Sequence, residues 1–347
     1  MPIDPQMLAE QELALLGWIW RSLALASVCY FVYLAARVKW LARIGLVCTA
    51  VGAVLLTVLI AKHWAAVGHA PYSNLYEYLI AFSWGTCVIY LALEAITRKS
   101  VFGAFVVPLA LVLAMFGSRL PESYRAAVPL VPALQSVWLV IHVGVAVIGY
   151  GACAVAFGVG VMYIYRRAVF ARSGQAWLAL APAVLGFIGM ALLGVNLVVQ
   201  IHSPGREAGF QLGAGDVALV MLGVLAFFAL LLLLTKAARD AVPGEETLDQ
   251  IGYRAIAFAF PFLTLINITG MVWANVAWGR YWGWDPKETW SAITWFVYLV
   301  YLHARLVAGW RGLWAACFAA TGFVVVLFTF LGVNYLGGLH AYFEPIR

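Results

Sequence analysis

Hydrophobic residues along this chain come in long runs broken by short polar connections, and the runs have the length of membrane spans. Those able to cross a bilayer lie at about 14–36, 44–61, 78–97, 101–116, 137–165, 177–201, 217–235, 255–277, 286–307 and 312–333. The pattern predicts an all-α polytopic membrane protein with about ten transmembrane helices, a single integral membrane domain over residues 1–347. The fourth run is short and contains Pro108, so a re-entrant or buried segment stays open for it. No internal repeat is visible. The one polar linker, residues 236–254, carries Pro243-Gly244-Glu245-Glu246.

Charge then orients the runs. Alternate connections collect Arg37, Lys39 and Arg43, then Arg98 and Lys99, Arg166, Arg167 and Arg172, Lys236, Arg239 and Arg254, and Arg305 and Arg311. The opposite side collects seven basic residues and Arg21 lies within the first run, which accounts for all 21. The positive-inside rule puts both termini, and the connection ending at Thr289, outside the cytoplasm. The net charge of +6 is therefore loop bias and does not indicate a nucleic-acid partner. With 65% hydrophobic residues and a mean hydropathy of +0.95, the chain has too little polar surface for a water-soluble globule. Cys29, Cys48, Cys87, Cys153 and Cys317 all sit in apolar runs with no Cys-x-x-Cys, which reads as packing rather than thiol chemistry. Residues 1–12 are acidic and lack the basic region and cleavage site of a signal peptide, so the first run is expected to be a retained helix.

One stretch departs from this economy of charge. Residues 278–290 hold four Trp, one Tyr and four charged residues in thirteen positions, in a chain only 10% charged. Asp285, Pro286 and Glu288 predict a helix start: Asp as N-cap, Pro at the first helical position, Glu closing a capping box. The helix runs to about Leu306, and at about 1.5 Å per residue His303 lies roughly 26 Å below Asp285. Indoles at a membrane face could form an ordinary aromatic belt. A belt, however, needs neither glycine spacers nor an Asp-Pro-Lys-Glu cap.

The stretch Trp278-Gly-x-Tyr-Trp-x-Trp-Asp-Pro-Lys-Glu-Thr-Trp290 resembles the tryptophan-rich WWD signature of haem-handling proteins, in the form carried by the CcsA/ResC family of system II cytochrome c biogenesis. Residues 71–77, 130–142, 260–264, 273–275 and 332–340 are similar to the family's pattern and occur in its order. The resemblance covers most of residues 70–165 and 248–343. Relative to shorter members, about 170–245 look like an extra helix pair added to eight family-like helices.

Of six histidines, three carry an expectation. His142 sits near the outer end of the fifth long run, His340 follows the last run on that same side, and His303 lies deep beside Arg305. Intramembrane ionisable groups are costly and tend to be functional. The resemblance implies that His142 and His340 are the external axial ligands of haem b and that His303 is the intramembrane haem histidine. It also implies that Trp278, Tyr281, Trp282, Trp284, Asp285 and Trp290 belong to the external haem loop. Arg280 and Lys287 are candidates for the propionates, with interface anchoring an equal alternative. Gly337 and Gly338 would let backbone approach a ring closely. His63, His69 and His202 match no ligand position and read as structural, and Glu94 and Arg21 read as helix-end residues reaching an interface.

Two sites about a bilayer apart cannot share one haem, so the expected mechanism is movement. Haem is captured near His303, passes outward, and is presented on the tryptophan loop. The resemblance implies attachment of its vinyl groups to the thiols of a Cys-x-x-Cys-His segment of apocytochrome c, as one subunit of a holocytochrome c synthase in a bacterial cytoplasmic membrane. A CcsB/ResB-type partner is implied, since this chain lacks that protein's histidine and external domain. No acid, base or nucleophile is evident, so catalysis would be mostly orientation. Other readings are a system I haem-delivery protein of the CcmC or CcmF type, a small-molecule transporter, and a structural membrane subunit. A transporter would show interrupted or charged mid-membrane helices in two related halves, and none are found.

Overall fold

A computed structural model describes residues 5–120, 130, 132–170, 222, 242–336 and 338–339. Eight long α-helices run through them: α1 (Pro5–Ala36), α2 (Lys39–Val67), α3 (Leu75–Thr97), α4 (Gly103–Ser118), α5 (Val137–Phe170), α6 (Glu245–Trp278), α7 (Pro286–Leu306) and α8 (Leu313–Phe330). There is no strand among the described residues. Seven are long and apolar enough to cross a membrane; α4 counts with the 3-10 turn ahead of it, as Ser100–Ser118. The chain is thus a multi-pass membrane protein. Helix α7 has the 21 residues a span needs, but Lys287, Glu288, His303 and Arg305 leave it more polar than the others. The expected spans at 177–201 and 217–235, and with them the total of ten, lie outside the described residues.

Helices α1, α2, α3, α5 and α6 cover their apolar runs and extend past them, whereas α4 and α8 begin or end inside theirs. Pro108 stays inside α4, whose buried face packs on α1 and α3. Helix α5 is the axis of the bundle. Nearly every side chain from Gly149 to Tyr165 is buried, because α3, α4, α6 and α8 surround it. Contact with α3 is backbone to backbone: a Cβ on Gly151 would stand 2.9 Å from the Gly85 carbonyl carbon. Small residues at such crossings let membrane helices pack without a hydrophobic drive between them.

Local signals behave as their chemistry requires. Asp285 caps α7 with Pro286 at its first position, and the Glu288 carboxylate accepts from the Asp285 N–H at 3.1 Å and the Gly283 N–H at 2.8 Å. Asn74 caps α3 by accepting from the Glu77 N–H at 3.0 Å. At the far end of α7, Arg305 makes a two-pronged ion pair with Asp249 at 2.6 and 2.8 Å, and Asp249 also accepts from the Gly312 N–H at 2.7 Å.

Two sequence readings are corrected. Glu94 does not reach an interface; it is buried and accepts from Tyr30, Tyr90 and Ser100. Hydroxyls from α1 and from the turn before α4 meet its carboxylate, a convergence no local pattern announces. Arg21 is not at a helix end. It stands exposed midway along α1, its guanidinium over the Trp18 and Trp20 rings at 5.6 and 5.1 Å.

Candidate functional site

The start of α7, the end of α6 and the start of α5 enclose a cleft of about 980 Å³, counting the space open at its mouth. His142, Val143, Ala146 and Tyr150 of α5 form one wall. Gly270, Met271 and Trp273 of α6 form the second, and Tyr281, Trp282 and Lys287 close the third. Tyr78 and Phe82 of α3 complete it. The lining is apolar and aromatic, with a few polar groups at fixed places.

His142 is the most constrained of these. Its Nδ1 lies 3.0 Å from the Ile266 carbonyl oxygen, with the Thr269 hydroxyl at 3.4 Å. A carbonyl can only accept, so this contact puts the ring hydrogen on Nδ1 and makes Nε2 the basic nitrogen of the neutral imidazole. The ring stacks on Trp273 at 6.1 Å and 19°, and Trp278 meets Trp273 edge-on at 4.8 Å. Gly270 makes room for it, since a Cβ there would stand 2.9 Å from His142 Cε1. Ala81, Leu139, Val143, Val147 and Trp273 form the apolar cluster behind the ring, with Tyr72 and Tyr78 packed on it. Burial pushes the Tyr72 phenol above its ordinary value.

The sequence candidates separate into three groups. His142, Tyr281, Trp282 and Lys287 meet in the cleft, with the Lys287 ammonium 5.6 Å from the centre of the Tyr78 ring. Trp278, Asp285 and Trp290 support it from behind. Trp278 backs Trp273, Asp285 is buried as the cap of α7, and Trp290 packs on Phe328 at 4.2 Å. Trp284 and Arg280 face elsewhere. Trp284 is 76% exposed, with φ +56° and its ring edge-on to Trp282, while the Arg280 guanidinium lies against the Gly283 backbone. Gly338 also has a partner other than a ring. With φ +105°, it lets the chain pass so close that a Cβ would overlap the Asp285 carboxylate, and the next N–H, of Leu339, donates to Asp285 at 2.7 Å. His340, Gly337 and His202 lie outside the described residues. His303 is exposed on the last turn of α7, about 18 Å along the axis from Ser291 at the cleft.

Trp273, Tyr78, Tyr150, Asn267 and Gly270 line the cleft without having been singled out as site residues. The signal for Trp273 was its place in the matching segment 273–275. The others become neighbours only through helix packing. His63, read as structural, is a buried ring between two buried carboxylates: Nδ1 is 2.7 Å from Glu12 and Nε2 is 3.0 Å from Glu77.

The site is thus an aromatic cleft within a multi-pass helical bundle, walled by a histidine anchored to a backbone carbonyl. The chain belongs to the cytochrome c assembly protein family, whose model matches residues 72–202 and 216–340. It is 38% identical over 318 residues to the cytochrome c biogenesis protein CcsA of Synechococcus elongatus, covering 91% of this chain and 92% of that one. CcsA of Gloeobacter violaceus is 37% identical over 332 residues, with 92% and 93% covered, and CcsA of Nostoc punctiforme is 37% identical over 323, with 88% and 90% covered. A role in cytochrome c maturation follows from that membership.

Proposed function

We propose that the cleft holds haem as substrate, presents it on the outer side of a bacterial cytoplasmic membrane, and positions its vinyl groups for thioether formation with the Cys-x-x-Cys-His thiols of apocytochrome c. The observation that carries this is the meeting of His142 with Trp273, Tyr281, Trp282 and Lys287 in one apolar cleft. A tetrapyrrole needs flat apolar walls, an imidazole nitrogen for iron and a cation for its propionates. The cleft offers each. The Ile266 carbonyl fixes the His142 tautomer whose Nε2 can ligate, as supporting carbonyls do for metal-bound histidines. Lys287, inside the cleft, is the propionate partner; Arg280, turned to Gly283, is not.

His340 is the second axial ligand on this reading. Support comes from its chain neighbour Leu339, tied to the Asp285 cap at the head of α7. His303 receives haem at the other end of α7, beside the Arg305–Asp249 pair. A CcsB/ResB-type partner completes the synthase. The protein's own contribution is to bind, orient and expose an edge of the ring, with no side chain acting as acid or base.

The test is an absorption spectrum of the protein purified with its partner. Wild type is expected to carry low-spin, bis-histidine haem, and His142→Ala and His340→Ala to lose it. His303→Ala should lower external occupancy without changing the spectrum of what remains. A colourless wild-type complex, or full external occupancy in His303→Ala, would contradict the respective part.

A further inference from the structure

Arg21 sits eleven residues into the 27-residue apolar span Glu10–Ala36. That is about 16 Å of helix from one end of the span and 22 Å from the other. The residue is exposed, on a stripe with Ala14, Trp18, Leu25, Val28 and Val32. Successive steps of four and three residues set these on one side of α1, the spacing of a seam that receives another helix. Trp18 and Trp20 cover the guanidinium with ring faces. Rings leave the charge uncompensated, and among the described residues no carboxylate lies within ion-pair distance of it.

The described residues offer no anion for it. All 15 acidic residues fall in the polar connections, at the chain ends or at helix ends; none is inside an apolar run at Arg21's depth. Glu12 and Glu77 are held by His63, Glu94 by Tyr30 and Tyr90, and Asp249 by Arg305. A second copy would bring another arginine and no acid. An exposed charge in the apolar layer is costly and is kept where something pairs with it.

We propose that the α1 face centred on Arg21 is the docking surface for a transmembrane helix of a different protein, which presents an aspartate or glutamate near the middle of its span. A helix suits this surface better than a free carboxylate ligand does. The stripe runs from Ala14 to Val32 along a convex ridge, with Trp18 62% exposed, and forms no slot for a ring. The surface is separate from the haem cleft, which α1 does not line.

The experiment uses the full chain in its native membrane, with photoreactive benzoylphenylalanine placed singly at Leu25, at Val28 and, as control, at Val54 on the exposed face of α2. Positions 25 and 28 should crosslink one membrane protein, at a peptide within two helical turns of an Asp or Glu inside an apolar run; position 54 should not. Arg21→Leu should cut crosslink yield and co-purification at least tenfold, and Arg21→Lys less than threefold. Exchanging the charges, Arg21→Asp with the partner's acid changed to Arg, should restore association. Removing a charge from an apolar span favours insertion, so lost association in a monodisperse Arg21→Leu protein reports the contact. Crosslinks to another copy, to residues 171–241 of this chain or to a peptide without an acid would overturn the proposal. So would unchanged association in Arg21→Leu, including the case where haem content falls instead and a propionate is the anion.

Discussion

The Cα of Gly270 faces the His142 ring so closely that a single methyl group there would stand 2.9 Å from the imidazole. Two helices 128 positions apart in sequence thereby share one surface, and the ring reaches the Ile266 carbonyl one turn away. Alanine is a better helix former than glycine by about 1 kcal/mol, so Gly270→Ala should fold at least as well as wild type. It should nevertheless displace the imidazole and lower haem occupancy about tenfold or more. Gly270→Ala with wild-type haem content and spectrum would show that the ring position does not matter.

Lys287 and Arg280 were equivalent propionate candidates by sequence, and the cleft separates them. Lys287→Ala should weaken haem retention at least several-fold, Lys287→Arg should preserve most of it, and Arg280→Ala should leave it unchanged. Haem retention during detergent dilution is the measurement. Equal losses at both positions would reduce the two residues to membrane anchors.

The buried Glu12–His63–Glu77 cluster ties α1, α2 and α3 together at one end of the bundle. Removing one member of a buried ion pair costs about 3–5 kcal/mol. His63→Ala also leaves two carboxylates facing each other, so its thermal transition should fall well below that of Glu12→Gln. Thermal unfolding followed by circular dichroism reads the order, with haem spectra of the folded variants unchanged.

At the opposite end, Asp249 accepts from both Arg305 and the Gly312 N–H, with the ion-pair side chains only 9% exposed. Asp249→Ala strands both donors and should destabilise by about 3 kcal/mol or more. Asp249→Asn, which keeps an acceptor, should cost less. The comparison of their unfolding midpoints checks this.

What could be read in the sequence follows from how local each cause is. The helix start at Asp285-Pro286-x-Glu288 was legible because N-cap, proline and capping box act within one turn. Helix positions were legible because apolar length alone sets a span. Glu94 was misread because its burial depends on α1: Tyr90 and Ser100 are its neighbours in sequence, but Tyr30, which also meets its carboxylate, is 64 residues away. The packing of Gly338 on Asp285 was not legible, because the two lie 53 positions apart. Tyr78, Tyr150 and Asn267 join the cleft only once α3, α5, α6 and α7 are set in register, and no pattern within one helix encodes that register. Arg21 looked like an end residue because the run's limits, not its neighbours, were all the sequence showed.

The central claim is that His142 ligates haem from the wall of the cleft, and cavity rescue tests it most directly. His142→Gly is purified with its partner and titrated with free imidazole while the haem absorption and electron paramagnetic resonance spectra are followed. The account predicts a high-spin or haem-depleted variant that regains the wild-type low-spin spectrum as imidazole fills the space the side chain left. A His142→Gly protein whose spectrum matches wild type before any imidazole is added would contradict it.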